Sequence, residues 1–201
     1  MGLVRKRPSE SADLLIVGLG NPGREFARTR HNIGYRVTEA LARRHAYPRG
    51  RRDFHGHYAL GSIAGRRVGL LQPTTYMNVS GKSVAAALRA LRLRHDALLV
   101  VHDEIDFQFG RLQLRHDGGH GGHNGLRSLH ELVGADFDRL RLGVGRPASG
   151  DPEVVGDYVL GLFDETDDEV RSLVERGADA VEMWVRDGLA GAAEAVTADP
   201  Q

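Results

Sequence analysis

Two histidine-bearing segments of this 201-residue chain hold the side chains best suited to acid–base chemistry. The first, Thr29-Arg30-His31-Asn32, sets a histidine in a polar stretch just ahead of an apolar periodic segment. Imidazole titrates near neutrality, so His31 suits the work of a general base; it also suits a plain surface position. The second, His102-Asp103-Glu104-Ile105-Asp106, follows a continuous apolar run. A carboxylate at such a strand end can orient a histidine from another loop. It fixes the tautomer and stabilises the imidazolium formed on proton abstraction. Standing alone, the segment reads as an exposed acidic turn. A third segment, Gln72-Pro73-Thr74-Thr75-Tyr76-Met77-Asn78-Val79-Ser80, crowds amides, hydroxyls and a ring into one loop. Amides both donate and accept, which suits a peptide or a ribose. The plain alternative is a capping loop, with Asn78 or Ser80 holding helix N–H groups.

Other chemistries meet obstacles. His116, His120 and His123 fall within eight residues and invite a metal. The glycines among them make a loose ligand set, and no H-E-x-x-H spacing occurs. Glycine lets backbone approach a partner closely, so a loop for substrate contact is the stronger reading. Gly18-Leu19-Gly20-Asn21-Pro22-Gly23 matches G-x-G-x-x-G. A dinucleotide site needs a helix opening at that loop, with N–H groups facing the pyrophosphate. Here helical periodicity begins only near Asn32, and Pro22 removes an N–H. The segment therefore reads as a tight turn. The chain has no cysteine, which excludes disulfides, cysteine–zinc sites and a thiol nucleophile.

These segments need a frame. Leu14–Leu19 and Ala97–Val101 are continuous apolar runs and read as buried strands. Further strands are expected at Tyr58–Ala64, Val68–Leu71, Leu112–Arg115 and Leu140–Val144. Helices are expected over Asn32–Arg44, over Val84–Leu93 with Ser80 as cap, from the glycine-rich loop to about Leu132, and from about Asp164 through Trp184. Residues 47–53 read as a basic connection. Strands alternating with helices predict a single globular α/β domain, its central mixed, largely parallel sheet sandwiched between helices. Sites in such sheets form beyond the carboxyl ends of strands, here the loops after Val17, Leu71 and Val101. Residues 1–12 are expected to be a flexible basic leader, 13–190 the catalytic domain and 191–201 a C-terminal tail. No apolar run reaches the roughly 20 residues of a membrane helix, so no membrane is expected.

The net charge of zero hides an asymmetry. Residues 1–100 hold 18 Lys and Arg against 6 Asp and Glu, whereas 101–201 hold 9 against 21. Such polarity hints at a polyanionic partner.

Taken together, the segments resemble the bacterial peptidyl-tRNA hydrolase family. The resemblance rests on Val17–Gly23, Thr29–Gly34, Pro73–Gly81, His102–Asp106, Gly118–Gly125, Arg139–Gly145 and Glu182–Trp184, in the family's order. It implies an enzyme that hydrolyses the ester of N-blocked aminoacyl-tRNA, releasing peptide and free tRNA for translation. It also implies a cytoplasmic monomer with neither metal, cofactor nor obligate protein partner. Carried over residue by residue, His31 is the general base, Asp103 its orienting acid, and Asn21 lies beside the reacting carbonyl. Phe26, Tyr76, Met77, Asn78, Arg115, His123 and Asn124 are expected to contact the substrate or its tRNA. Phe26 departs from the family's usual tyrosine, which keeps stacking and loses a phenolic hydrogen bond. Gln113 is neutral where many relatives have lysine. Arg49, Arg51, Arg52, Lys82, Arg115 and Arg141 are the cations available for phosphates. The rival in another class is a non-catalytic RNA-binding relative, which has no need of a general base.

Overall fold

In a computed structural model, which describes residues 11–198, the Leu14–Gly18 run is β1, the middle of the sheet, and every residue of it is buried. Its side chains alternate between two cores. Leu14 and Ile16 join one cluster; Leu15 and Val17 join the other. A strand buried on both faces explains the unbroken apolar run, since each side chain has a helix layer to meet. Each is worth about 1.5–3 kcal/mol of burial.

The sheet has seven strands in the order β2-β3-β4-β1-β5-β7-β6. They are β1 Leu14–Gly18, β2 Arg51–Asp53, β3 Gly56–Ile63, β4 Arg66–Pro73, β5 Leu98–Glu104, β6 Leu112–His116 and β7 Asp138–Gly143. The central four, β4-β1-β5-β7, are parallel; β2, β3 and β6 add antiparallel edges. Helices α1 (Ile33–Arg44) and α5 (Asp167–Ala198) pack together on one face, and α2 (Ser80–Leu91) and α3 (Asn124–Val133) on the other. The expected mixed α/β sandwich is what the chain forms.

Some elements differ from expectation. Residues 51–53 are not only a connection but an edge strand, too short for two-residue alternation to show. Helix α4, Pro152–Leu160, was not foreseen; it is short, and Asp151 caps it with Pro152 in its first turn. Ser80 is no cap. It is the first residue of α2, and Gly81 N–H donates instead to Ser128 Oγ on α3. The expected C-terminal tail is wrong for 191–198. There α5 continues after a break at Gly188 (φ 71°), and Ala192 and Val196 join the core. At the other end, residues 1–10 of the expected leader lie outside the described residues, while Ala12 is buried in the core.

One close approach sets the position of everything after β1. Helix α1 lies directly on β1 and β5 through Gly18 and Gly34. A Cβ on Gly34 would run into the Val101 carbonyl oxygen and stand 2.6 Å from Leu19 N. A Cβ on Gly18 would strike the Gly34 carbonyl. Two glycines of the sequence thus serve backbone packing rather than a phosphate loop, and the turn before α1 is pressed against the strand ends. Gly34→Ala should cost about 1–3 kcal/mol or more through overpacking. Urea unfolding at neutral pH measures it, and a variant as stable as the parent would contradict this contact.

Candidate active site

The loop after β1, the turn before α1, the loop after β4 and the end of β5 meet at the carboxyl edge of the parallel strands. His31 lies in a 3-10 turn, Arg30–Asn32, and is buried, as is Asp103 near the end of β5. His31 Nδ1 stands 2.9 and 3.0 Å from the two Asp103 carboxylate oxygens. The glycine-rich loop brings a second imidazole: His123 Nε2 lies 3.0 Å from Asp103 Oδ1. The two rings are 4.9 Å apart.

The tautomers follow from the backbone. His123 caps α3, and its Nδ1 accepts from the N–H groups of Gly125 (3.1 Å) and Leu126 (3.3 Å). Nδ1 therefore carries the lone pair, and Nε2 carries the proton that faces Asp103. Asp103 thus accepts from two imidazoles. Burial alone would raise its pKa, but His31 and His123 outweigh that and hold the carboxyl well below the usual range. The carboxylate in turn keeps the His31 proton on Nδ1, so Nε2 is left as the basic nitrogen.

Asn21 is oriented as firmly. Asn32, beside His31, clamps its backbone: Asn32 Oδ1 accepts from Asn21 N–H and Asn32 Nδ2 donates to Asn21 O, both at 2.9 Å. The Asn21 side chain accepts through Oδ1 from Met77 N–H at 2.8 Å. A backbone N–H can only donate, so the amide oxygen is spent and Nδ2 remains to donate to an incoming oxygen. The Met77 side chain is buried, its sulfur against Gly125 beside His123 and Asn124, and its backbone N–H holds Asn21. Asn78 and Tyr76 are exposed beside it. Asn124 adjoins His123 and is exposed; Arg127 donates to its Oδ1 at 2.8 Å, leaving its Nδ2 free. Phe26, half-buried in the loop after β1, and Arg115, exposed on β6, stand apart from this hydrogen-bond network.

Several supporting residues carried no distinct signal in the sequence. Asn32 reads there as a turn residue. Arg30 is buried; it donates to the Tyr158 and Leu162 carbonyls, pairs with Asp164 at 2.7 Å and stacks 4.0 Å from the Tyr158 ring. It ties the His31 turn to α4. Arg139, also buried, donates to the carbonyls of Gly118 and Gly119 and so holds the glycine-rich loop. Arg141 is a correction: it forms a half-buried ion pair with Glu104 at 2.7 Å and is not free for a phosphate.

His31, Asp103 and His123 offer three metal-ligating atoms within 4.8 Å of one another. The nitrogens concerned are hydrogen-bonded to the carboxylate, and the remaining His123 nitrogen is held by α3. Binding a cation between these two nitrogens and the carboxylate would displace the protons they share with it.

His102, the residue before Asp103, is fully buried. Its Nδ1 donates to the Asp103 carbonyl at 2.7 Å, and its ring meets His123 edge-on at 5.1 Å. Burial first, and then His123, push its pKa down from 6.5 to about 3. The unfolded chain would therefore bind a proton that the folded chain refuses, and stability falls as pH drops from 6.5 towards 3. The slope for one such group is at most about 1.4 kcal/mol per pH unit. His102→Leu should lose less stability than the parent between pH 7 and pH 5 in urea titrations. Parallel losses would show that His102 does not titrate this way.

Comparison with known proteins agrees on one family. A sequence model of the peptidyl-tRNA hydrolase family matches residues 15–201. A peptidyl-tRNA hydrolase of Oceanobacillus iheyensis is 47% identical over 174 residues, covering 86% of this chain and 92% of its own. One from Roseiflexus is 45% identical over 189 residues, covering 92% and 86%. The crystal structure of peptidyl-tRNA hydrolase from Acinetobacter baumannii superposes with a TM-score of 0.85 at 38% identity, covering 94% of this chain and 97% of its own.

Proposed function

Because the chain belongs to the peptidyl-tRNA hydrolase family, we propose that the His31–Asp103–His123 network hydrolyses the ester joining a peptide to the terminal ribose of its tRNA. The observation that carries this reading is the lone pair left on His31 Nε2 by the Asp103 carboxylate. His31 Nε2 takes a proton as water attacks the peptide's C-terminal carbonyl carbon. Asp103 stabilises the imidazolium. Asn21 Nδ2 donates to the oxyanion, since its oxygen is already engaged. The carbon–oxygen bond to the ribose then breaks. The leaving ribose oxygen takes the proton back from His31, giving a peptide acid and free tRNA. An ester has a better leaving group than an amide, so a positioned water and a base suffice.

His123 keeps Asp103 in place, and Asn78 and Asn124 hold the substrate through their amides. Tyr76 and Phe26 offer rings for stacking. Arg115 meets phosphate: it is exposed and stands opposite Arg139 across β6 and β7, a like-charge pair that an anion relieves. A monomer acting without metal in the cytoplasm is part of this proposal, and size-exclusion chromatography with light scattering tests the oligomeric state. Among the described residues no helix is long and apolar enough to cross a membrane.

The test is hydrolysis of N-blocked against free aminoacyl-tRNA, with and without EDTA. The blocked substrate should be cleaved far faster, and EDTA should change nothing. His31→Ala should lower kcat by about 2–4 orders of magnitude; near-full activity would sink the mechanism. Asp103→Asn should cost on the order of 10⁴-fold in kcat, because the amide carries no charge to stabilise the imidazolium and its NH2 group, in place of Oδ2, would face His31 Nδ1 as a donor and favour the wrong tautomer. A loss below about tenfold would mean that the carboxylate does not set the His31 tautomer.

A further inference from the structure

His31 stands between two residues that are tied to different parts of the chain. A 3-10 helix has three residues per turn, so Arg30, His31 and Asn32 point in three directions and each finds its own partner. Asn32 faces the loop after β1. Arg30 faces the end of α4 and the residues after it, and its side chain is only 4% exposed. Nη1 donates to the Leu162 carbonyl and, at 3.3 Å, to that of Tyr158; Nη2 donates to Asp164 Oδ2 at 2.7 Å. The guanidinium carbon lies 4.0 Å from the centre of the Tyr158 ring and 5.6 Å from that of Phe163. The backbones join as well. Arg30 N–H donates to the Gly161 carbonyl at 3.1 Å, and Thr29 pairs with Leu162 in an antiparallel bridge.

Apolar burial does little to hold this segment. Among the described residues of α4, Val159 alone is buried, and the helix packs chiefly on the His31 turn. Val155 and Val159 also line the hollow that holds His31 and Asp103. One wall of that hollow and the base inside it are therefore joined through residue 30. Burying a guanidinium is costly, and an apolar side chain of similar volume often serves stability as well. Here the charge meets two carbonyls and a carboxylate whose side chain is itself 90% exposed. What the planar fork adds is geometry, because it fixes several acceptors at once relative to the backbone that carries it.

We infer, on the ester-hydrolase reading above, that Arg30 is a positioning residue for the reaction: anchored by residues 158–164, it keeps the His31 turn where Nδ1 meets Asp103 and Nε2 stands open to water. Arg30 touches neither the substrate nor the reacting atoms and acts through His31 alone. The placement matters because a shift of about 1 Å in a reacting group can cost on the order of 10²-fold in rate.

Three variants of the full chain test it. Arg30→Lys keeps the charge and loses the fork; Arg30→Met keeps the length and loses the charge. Asp164→Asn changes an exposed anchor outside the catalytic network, so the core is left as it is. With N-acetyl-aminoacyl-tRNA, kcat should fall by about ten- to a hundredfold in Arg30→Met and by less in Arg30→Lys, with KM within about twofold. Asp164→Asn should lower kcat by about two- to threefold. It should add nothing in the Arg30→Met background, since the two residues form one contact. Proton NMR needs no turnover. The imidazole protons bonded to Asp103 resonate downfield of the amides, and that of His31 is identified by its loss in His31→Ala. It should broaden by exchange with water in the Arg30 variants, while that of His123 stays sharp. An unchanged kcat beside an unchanged His31 proton would overturn the positioning role. So would loss of both protons in Arg30→Lys, or KM rising in step with the fall in kcat, because Arg30 would then serve the fold as a whole. A His31 proton that broadens in the variants of a parent that cleaves no ester upholds the positioning of His31 and refutes the hydrolase reading alone.

Discussion

The Asp103 carboxylate is the group on which the rest of the site depends. It is buried, and a buried charge is tolerated only when it is paired and hydrogen-bonded. Two imidazole N–H groups from distant parts of the chain meet that demand. The same bonds decide where the protons sit. His123 has no choice, because α3 holds its other nitrogen as an acceptor. With His123 fixed and Asp103 ionised, His31 keeps its proton on the inner nitrogen and presents a lone pair outward. A helix cap thus determines the protonation of a candidate catalytic base two bonds away.

Such an arrangement requires accurate placement of three backbones. The direct contact of α1 with β1 and β5 sets the His31 turn against the strand ends, and only glycine at 18 and 34 allows it. Asn32 then locks the loop after β1 to that turn through both backbone groups of Asn21. Arg139 fixes the glycine-rich loop by its carbonyls, so a segment rich in glycine is nonetheless ordered where His123 begins α3. Arg30 ties the turn to α4, which lines the hollow holding His31 and Asp103. These supports are polar and buried; each is satisfied mainly by backbone, which positions more rigidly than paired flexible side chains do.

The surface divides its cations by the same accounting. Arginines opposite α5 are consumed in a network with Glu175, Asp179 and Glu182. Arg141 is consumed by Glu104. The excess positive charge of the first hundred residues is therefore smaller at the surface than the sequence count implies.

The architecture and the chemical cast were legible in the order of the residues alone. The unbroken run at 14–18 reads as a strand buried on both faces. The alternation of strands and helices implied a layered sheet, and the ordered segments implied a histidine, an acid and amides at its carboxyl edge. These features are local or periodic, so one-dimensional reading reaches them. Tertiary structure alone decided the rest. Whether Met77 faces substrate or core depends on packing against α2 and α3. Whether Arg141 is free depends on Glu104, which β5 brings to it from 37 residues away. The helix continues past Gly188, whose positive φ is that of a helix end, and only the packing of Ala192 and Val196 into the core shows that it resumes. The tautomer of His123, and through it that of His31, depends on two backbone N–H groups whose direction exists only once α3 has formed.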